Sequence, residues 1–209
     1  MRAHQGERQL RDLAQGSTPL PASPIAGLRA IELGEPDAPL LQGFFDANPD
    51  YFIAVQGEPA RPGQAHEELT DSPPPGVPWS RILQVGFVDA SGRLAAFAGI
   101  VTDLFAPDVC HIGLFIVDRS RHGNGDAHRL YAGLEQWARA HGAAWMRLGV
   151  VVGNTRGERF WSRCGFTQMR LREGVVMGRR TNVVAVLAKP LADRTLQDYL
   201  ALMARDSPD

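Results

Sequence analysis

The chain has 209 residues, 44% of them apolar and 22% charged, with a formal net charge of -1. This is the composition of a soluble globular protein, and the balanced charge argues against a nucleic-acid binder, which carries a basic excess. No apolar run reaches the roughly 20 residues that cross a bilayer, and no apolar core follows the charges near the N-terminus, so no membrane partner and a cytoplasmic location are expected.

The length is long for one small domain and short for two. Residues 1–25 are polar and rich in Gly, Pro, Gln and Arg and read as a flexible arm. Residues 26–209 read as one domain. Leu28 to Leu33 alternates as a strand. Asp37 caps a helix through Leu40, Leu41, Phe44 and Phe45, which Asn48-Pro49-Asp50 breaks. Tyr51-Phe52-Ile53 reads as a short apolar segment. A short helix around Glu67 precedes the loop Pro73-Pro74-Pro75-Gly76, a candidate wall for a substrate cleft.

Three β-rich runs follow, Ile82 to Val88, Leu94 to Leu104 and Val109 to Val117, the first two joined by the hairpin signal Asp89-Ala90-Ser91-Gly92. The glycine loop Gly123-Asn124-Gly125 opens a helix from about Asp126 to His141. Its apolar residues Leu130, Leu134, Trp137 and Ala138 fall at helical spacing, and Gly142 closes it. Trp145 to Val152 is the most apolar strand and is expected near the centre. Asn154 starts a helix that ends at Gly165. Strands at 166–171 and 182–187 come next, then a helix with Thr195 and Asp198 as a capping box. The order β-α-α-β-β-β-α-β-α-β-β predicts an α+β fold with a mixed, mostly antiparallel sheet flanked by helices.

Two cysteines, Cys110 and Cys164, sit in apolar stretches and read as buried thiols. No metal is expected, because Cys110, His111, His122 and Cys164 match no common zinc spacing.

The junction after Leu114-Phe115-Ile116-Val117 carries the chemistry. The first N–H groups of a helix lack internal partners and the helix dipole adds positive charge there, so a glycine-rich turn into a helix suits a pyrophosphate. From these residues alone it serves a nucleotide, a coenzyme or only a turn. The Walker pattern is absent, and Gly123-x-Gly125-x-x-His128 lacks the third glycine of a dinucleotide fingerprint.

His122-Gly123-Asn124-Gly125-Asp126-Ala127 resembles the Gln/Arg-x-x-Gly-x-Gly/Ala motif of GNAT acetyltransferases, with Gly125 and Ala127 matching and His122 replacing Gln or Arg. Asn154 to Phe166 is similar to the family's Asn-x-x-Ala-x-x-Phe-Tyr-x-x-x-Gly-Phe, with Gly157 for Ala and Trp161 for Tyr. The resemblance spans about residues 26–190 in element order. It implies an N-acetyltransferase moving an acetyl group from acetyl-CoA to a primary amine of a small molecule or peptide. The alternative is a silent acyl-CoA-binding module of the same fold.

By resemblance, Phe115, Ile116 and Val117 pair with the pantetheine arm, and the Val117 N–H also faces the thioester oxygen. His122, Gly123, Asn124, Gly125, Asp126, Ala127 and His128 hold the pyrophosphate, with Arg121 and Arg129 in reach. Asn154 bonds the pantetheine or simply caps its helix, and Trp161 packs on the coenzyme or the core. His111 stands at the family's general-base position; a histidine is a sensible base near neutral pH. Asp103, Asp108, Glu67 and Glu68 are weaker candidates. Trp161 leaves the usual tyrosine acid missing, since an indole N–H is not an acid near neutral pH, and water, the ammonium product or Ser162 stands in. Tyr51 and Phe52 line the acceptor cleft. A homodimer through the C-terminal strands is allowed by the open sheet. The acceptor itself is not specified.

Overall fold

The computed structural model describes residues 19–191 and 193–208. Seven strands form one sheet in the order β1-β2-β3-β4-β5-β7-β6. They are β1 Arg29–Glu32, β2 Arg81–Val88, β3 Leu94–Thr102, β4 Val109–Val117, β5 Trp145–Val151, β6 Thr167–Met177 and β7 Arg180–Pro190. The helices are α1 Ala38–Ala47, α2 Pro49–Gln56, α3 Gln64–Thr70, α4 Asp126–Ala140, α5 Thr155–Arg163 and α6 Leu196–Leu202. Every pairing is antiparallel except β4 with β5.

Alternation along the strands sorts the side chains onto two covered faces. Leu83, Val85 and Phe87 of β2 join α4 residues Leu130, Leu134 and Trp137 in one core cluster. Phe97 of β3 joins Leu41, Phe44 and Phe45 of α1 and Phe52 of α2 in another. A third cluster packs Tyr199 and Met203 against Trp145 near the C-terminus.

The decisive irregularity is in β4. Gly99 pairs with Leu114 while Ile100 pairs with Ile112, so Gly113 is an extra residue, a β-bulge. An extra residue reverses the alternation and bends the strand. Cys110 and Ile112 therefore face the α4 cluster, whereas Leu114 and Ile116 face the α1–α2 cluster. Pairing with β5 stops at Ile112 and Leu148. Beyond the bulge the two strands run apart.

Several boundaries differ from the sequence reading. Tyr51-Phe52-Ile53 is not a loose segment but the middle of α2: Pro49 ends α1 and, with its missing N–H, suits the first turn of the next helix. The hairpin strands β6 and β7 each span 11 residues, longer than expected, because their far ends pair with each other beyond the core. Residues 19–25, expected in the arm, lie against α4: Pro19 O accepts the Trp137 indole N–H at 2.6 Å, and Leu20 and Ile25 pack on the core. The rest of that arm, residues 1–18, lies outside the described residues. β5 is interior but one place off the sheet centre. The Thr195–Asp198 capping box is present.

Candidate active site

The divergence of β4 from β5 opens a cavity of about 1060 Å³. Asp118 N donates to Ala95 O of β3 at 2.9 Å, which fixes the alternation of the backbone. Leu114 and Ile116 bond toward β3, so the N–H and C=O groups of Phe115 and Val117 point into the gap where β5 has left. His122 confirms the direction, since its Nε2–H donates to Val117 O at 2.8 Å. Its Nδ1 then accepts from Arg156 Nη1 at 2.9 Å.

One end of the cavity is the N-terminus of α4. The first helical bond is Arg129 N–H to Gly125 O, leaving the N–H groups of Asp126, Ala127 and His128 without helical partners. Gly123 and Gly125 hold φ of 87° and 78°, which L side chains rarely adopt. Arg119, Arg121 and Arg156 add positive charge along this wall. Asp126 is buried and paired with Arg121 at 3.0 Å and Arg129 at 3.6 Å. It braces the loop and does not line the cavity, and neither does Asn124.

The side wall is α5. Asn154 caps it, accepting from Gly157 N at 3.2 Å, and also lines the cavity. Gly157 explains its own departure from the motif: a Cβ there would sit 3.0 Å from Asn154 Nδ2 and 3.2 Å from Val150. Trp161 touches the cavity but is 8% exposed, with Phe115, Tyr131, Phe160 and Phe166 around its ring. Ser162 is exposed and outside the cavity.

The other end lies between α2 and the β6–β7 hairpin. Arg180 Nη1, Asn182 Nδ2 and Arg179 N donate to the main-chain oxygens of Ala54, Val55 and Gln56, each at 2.9 Å. These bonds satisfy carbonyls that a helix C-terminus leaves open. Tyr51 lines this end. Phe52 does not: it is 2% exposed and packs on Phe45 at 4.8 Å, facing the core because it sits one residue round the helix from Tyr51. Buried Asn48 ties α1 to the loop after β4, donating to Phe44 O and accepting from Arg119 N, both at 2.8 Å.

His111 lies on the floor in a setting unlike that of a base. Arg147 Nη1 donates to its Nδ1 at 3.3 Å. Burial and then the Arg147 charge lower its pKa to about 3. Arg147 is in turn buried against Asp206 through two bonds of 2.7 and 3.0 Å. Residue types in sequence do not show this network, because Asp206 is 59 positions from Arg147.

Among the weaker candidates, Glu67 is in an exposed pair with Arg61 at 2.7 Å. Asp103 accepts from Asp108 N inside the β3–β4 turn. Glu68 differs from both. It lines a second cavity of about 240 Å³ that meets the first at Leu104, Phe105, His111 and Gly113. Burial, with the charge of Asp71, raises its pKa to about 7.

The sequence profile of the acetyltransferase (GNAT) family matches residues 41–166. The chain belongs to the GNAT acetyltransferase family. By that membership it is an acetyltransferase, and its seven-stranded mixed sheet is the GNAT acyl-CoA N-acyltransferase fold. The fold is similar to that of the Escherichia coli ribosomal-protein-S18-alanine N-acetyltransferase (TM-score 0.57, 16% identity, covering 80% of this chain and 96% of that one). It is also similar to an acetyltransferase from Thermus thermophilus (TM-score 0.60, 17% identity, 80% and 99% covered). A third similar structure is the Vibrio cholerae spermidine N-acetyltransferase in complex with CoA and spermine (TM-score 0.59, 14% identity, 79% and 96% covered). No curated protein sequence matches the chain significantly. The GNAT match takes in β4, the glycine loop, α4, β5 and α5, the elements that bound the large cavity. No helix among the described residues is long and apolar enough to cross a membrane.

Proposed function

We propose that this GNAT enzyme binds acetyl-CoA in the β4–β5 cleft and transfers the acetyl group to a primary amine by direct attack. The observation that carries the reading is the backbone of Phe115 and the N–H of Val117, turned away from β3 and facing a cavity that ends on the α4 N-terminus. A pantetheine arm carries amide groups able to pair with that edge as an added strand would. The glycine turn, the free N–H groups and Arg119, Arg121 and Arg156 suit a pyrophosphate at the far end.

On this reading single residues take roles that differ from those the resemblance implies. Two free N–H groups face the cleft, and Phe115 lies nearer the bulge than Val117 by two residues, ~7 Å along the strand. Phe115 is the better oxyanion donor for an acyl group held beside Gly113, and Val117 is assigned to the pantetheine. His122 holds the end of β4 to α5 through Val117 O and Arg156. Trp161 is a wall, and the leaving thiolate takes its proton through water. Cys110 and Cys164 are buried free thiols, which fits a reducing compartment such as the cytoplasm.

The test is turnover. Purified protein, acetyl-CoA and a panel of primary amines are followed by release of free thiol. Amine-dependent release with a matching acetylated product supports the reading. Tight acetyl-CoA binding without turnover of any amine turns it into the silent module.

A further inference from the structure

Gln84 is 7% exposed, and its Oε1 is buried with no hydrogen-bond partner among the described residues. Its amide orientation is determined by chemistry. The Nε2 donates to Glu68 O at 2.7 Å, and only the nitrogen end can donate to a carbonyl, so Oε1 faces the other way. That way is Gly99. A Cβ built on Gly99 would lie 2.9 Å from Glu68 Oε1 and 3.0 Å from Gln84 Oε1. Two oxygens thus converge over a glycine, with Leu114 N 3.8 Å from the same point. Among the described residues nothing donates to the Gln84 oxygen, and no hydrogen bond contributes to the Glu68 pKa. A buried acceptor left open is costly unless a ligand or water meets it.

We infer that Glu68 and Gln84 form the socket for the acceptor's amino group, with Glu68 as the proton acceptor and Gln84 as the positioning acceptor. This rests on the acetyl-CoA reading of the neighbouring cleft and names the amine side of the same site. The socket touches the bulge where the acyl carbonyl is assigned. Glu68 takes one proton from the bound ammonium. The neutral nitrogen attacks the thioester carbon; the C–N bond forms, the C–S bond breaks, and sulfur leaves with the electron pair. The second proton passes from nitrogen to sulfur through water, and Glu68 releases its own to solvent.

The groups facing Glu68 are Asp71 just beyond α3, Tyr51 from α2 and His111 from β4. Burial, with the Glu68 charge, holds the Tyr51 hydroxyl well above the ordinary tyrosine range, so it keeps its proton. His111 stays neutral. A carboxylate titrating near 7 is a stronger base than an ordinary one and is still largely ionised at pH 8. The remaining walls of the small cavity are mostly apolar, with Pro73, Pro74, Val77, Ile82, Leu104 and Phe105 beside the polar Asp71, Ser72 and His111. Phe105 is fixed at φ 70° and lies beneath the Arg205 guanidinium at 3.7 Å. The acceptor class this shape takes is a primary amine on a compact apolar body.

The probe is 2-phenylethylamine, titrated by calorimetry at pH 8 into the protein loaded with coenzyme A. The variants are Glu68→Gln, Gln84→Met and Gly99→Ala. The expected result is binding to wild type, at least tenfold weaker in each variant, with coenzyme A affinity unchanged as the check on folding. Wild-type turnover should rise with pH through about 7, and Glu68→Gln should lose about 10²–10⁴-fold in kcat along with that limb. Variants that bind and acetylate the amine like wild type overturn the socket. So does a wild type that binds coenzyme A but not 2-phenylethylamine, and binding without acetylation overturns the proton-acceptor role. Spermidine binding tenfold tighter than 2-phenylethylamine overturns the apolar class. Failure of coenzyme A to bind wild type sinks the cleft assignment instead.

Discussion

Asp206 sits in a three-residue turn near the C-terminus, 1% exposed, and holds Arg147 from below the sheet. Its Oδ2 and Oδ1 accept from Arg147 Nε and Nη2 at 2.7 and 3.0 Å, and the Tyr199 hydroxyl donates to Oδ2 as well. Asp206→Ala leaves a guanidinium buried at 5% exposure with its acceptor gone. Breaking a buried pair from one side costs about 3–5 kcal/mol. For a domain of this size 1 kcal/mol is roughly 2–4 °C, so Tm should fall by about 6–20 °C. Replacing both partners, Arg147→Met with Asp206→Ala, should recover much of the loss, since no charge is then stranded. The pH dependence has a definite sign. Burial alone would raise the Asp206 pKa, but hydrogen bonds from Arg147 and Tyr199 outweigh it and hold the carboxyl below its ordinary value. A depressed folded pKa gives stability that is complete above about pH 4 and is lost as pH falls further. Thermal melts of wild type and Asp206→Ala at pH 7, 5 and 3.5 read this directly. A Tm change under 2 °C at pH 7, or a gap that widens on acidification, refutes the reasoning.

Four further outcomes follow from the site. His111→Asn should keep at least a tenth of wild-type kcat and leave the pH–rate profile unmoved, because the imidazole is neutral throughout the assay range; a profile that loses its limb near 7 would restore His111 as the base. The same variant should flatten the acid side of the stability curve. The unfolded histidine gains a proton below about pH 6.5 that the folded one refuses until about 3, so wild type loses up to about 1.4 kcal/mol per pH unit in that window; equal slopes in urea titrations would contradict this. Trp161→Ala removes a ring packed among four aromatics and should cost about 3–5 kcal/mol, seen as a lower urea midpoint at unchanged slope. Arg156→Glu should weaken acetyl-CoA binding at least tenfold at low salt and less at high salt, since its charge acts through solvent; salt-independent loss would point to misfolding.

The fold was largely legible because its signals are local. Alternation, turn residues and capping pairs such as Thr195 with Asp198 act over a few positions, and each element they predict is present. The α2 helix was missed because Pro49 reads as a breaker from one side and a first-turn residue from the other. The geometry of the proposed coenzyme side was legible for the same reason: Gly123, Gly125 and Asn154 act through backbone geometry close to themselves. That of the proposed amine side was not. His111 has the right residue type at the right strand position, yet Arg147 and, through it, Asp206 set its protonation from far along the chain. Glu68 gains its character from burial against β2 and β3, which no spacing within α3 reveals. The unpaired oxygen of Gln84 exists only once α3 is docked.

The central claim is that the β4–β5 cleft holds acetyl-CoA. Calorimetric titration of acetyl-CoA into wild type and Gly125→Trp tests it most directly. Gly125 lines the cavity with open space around it, so an indole there meets no core atom but strains a turn held at φ 78°, and the fold of the variant is checked alongside. Wild type should bind with micromolar affinity, and a Gly125→Trp protein whose circular dichroism is unchanged should not bind. A folded wild type that does not bind acetyl-CoA, or a variant that binds it equally well, contradicts the account.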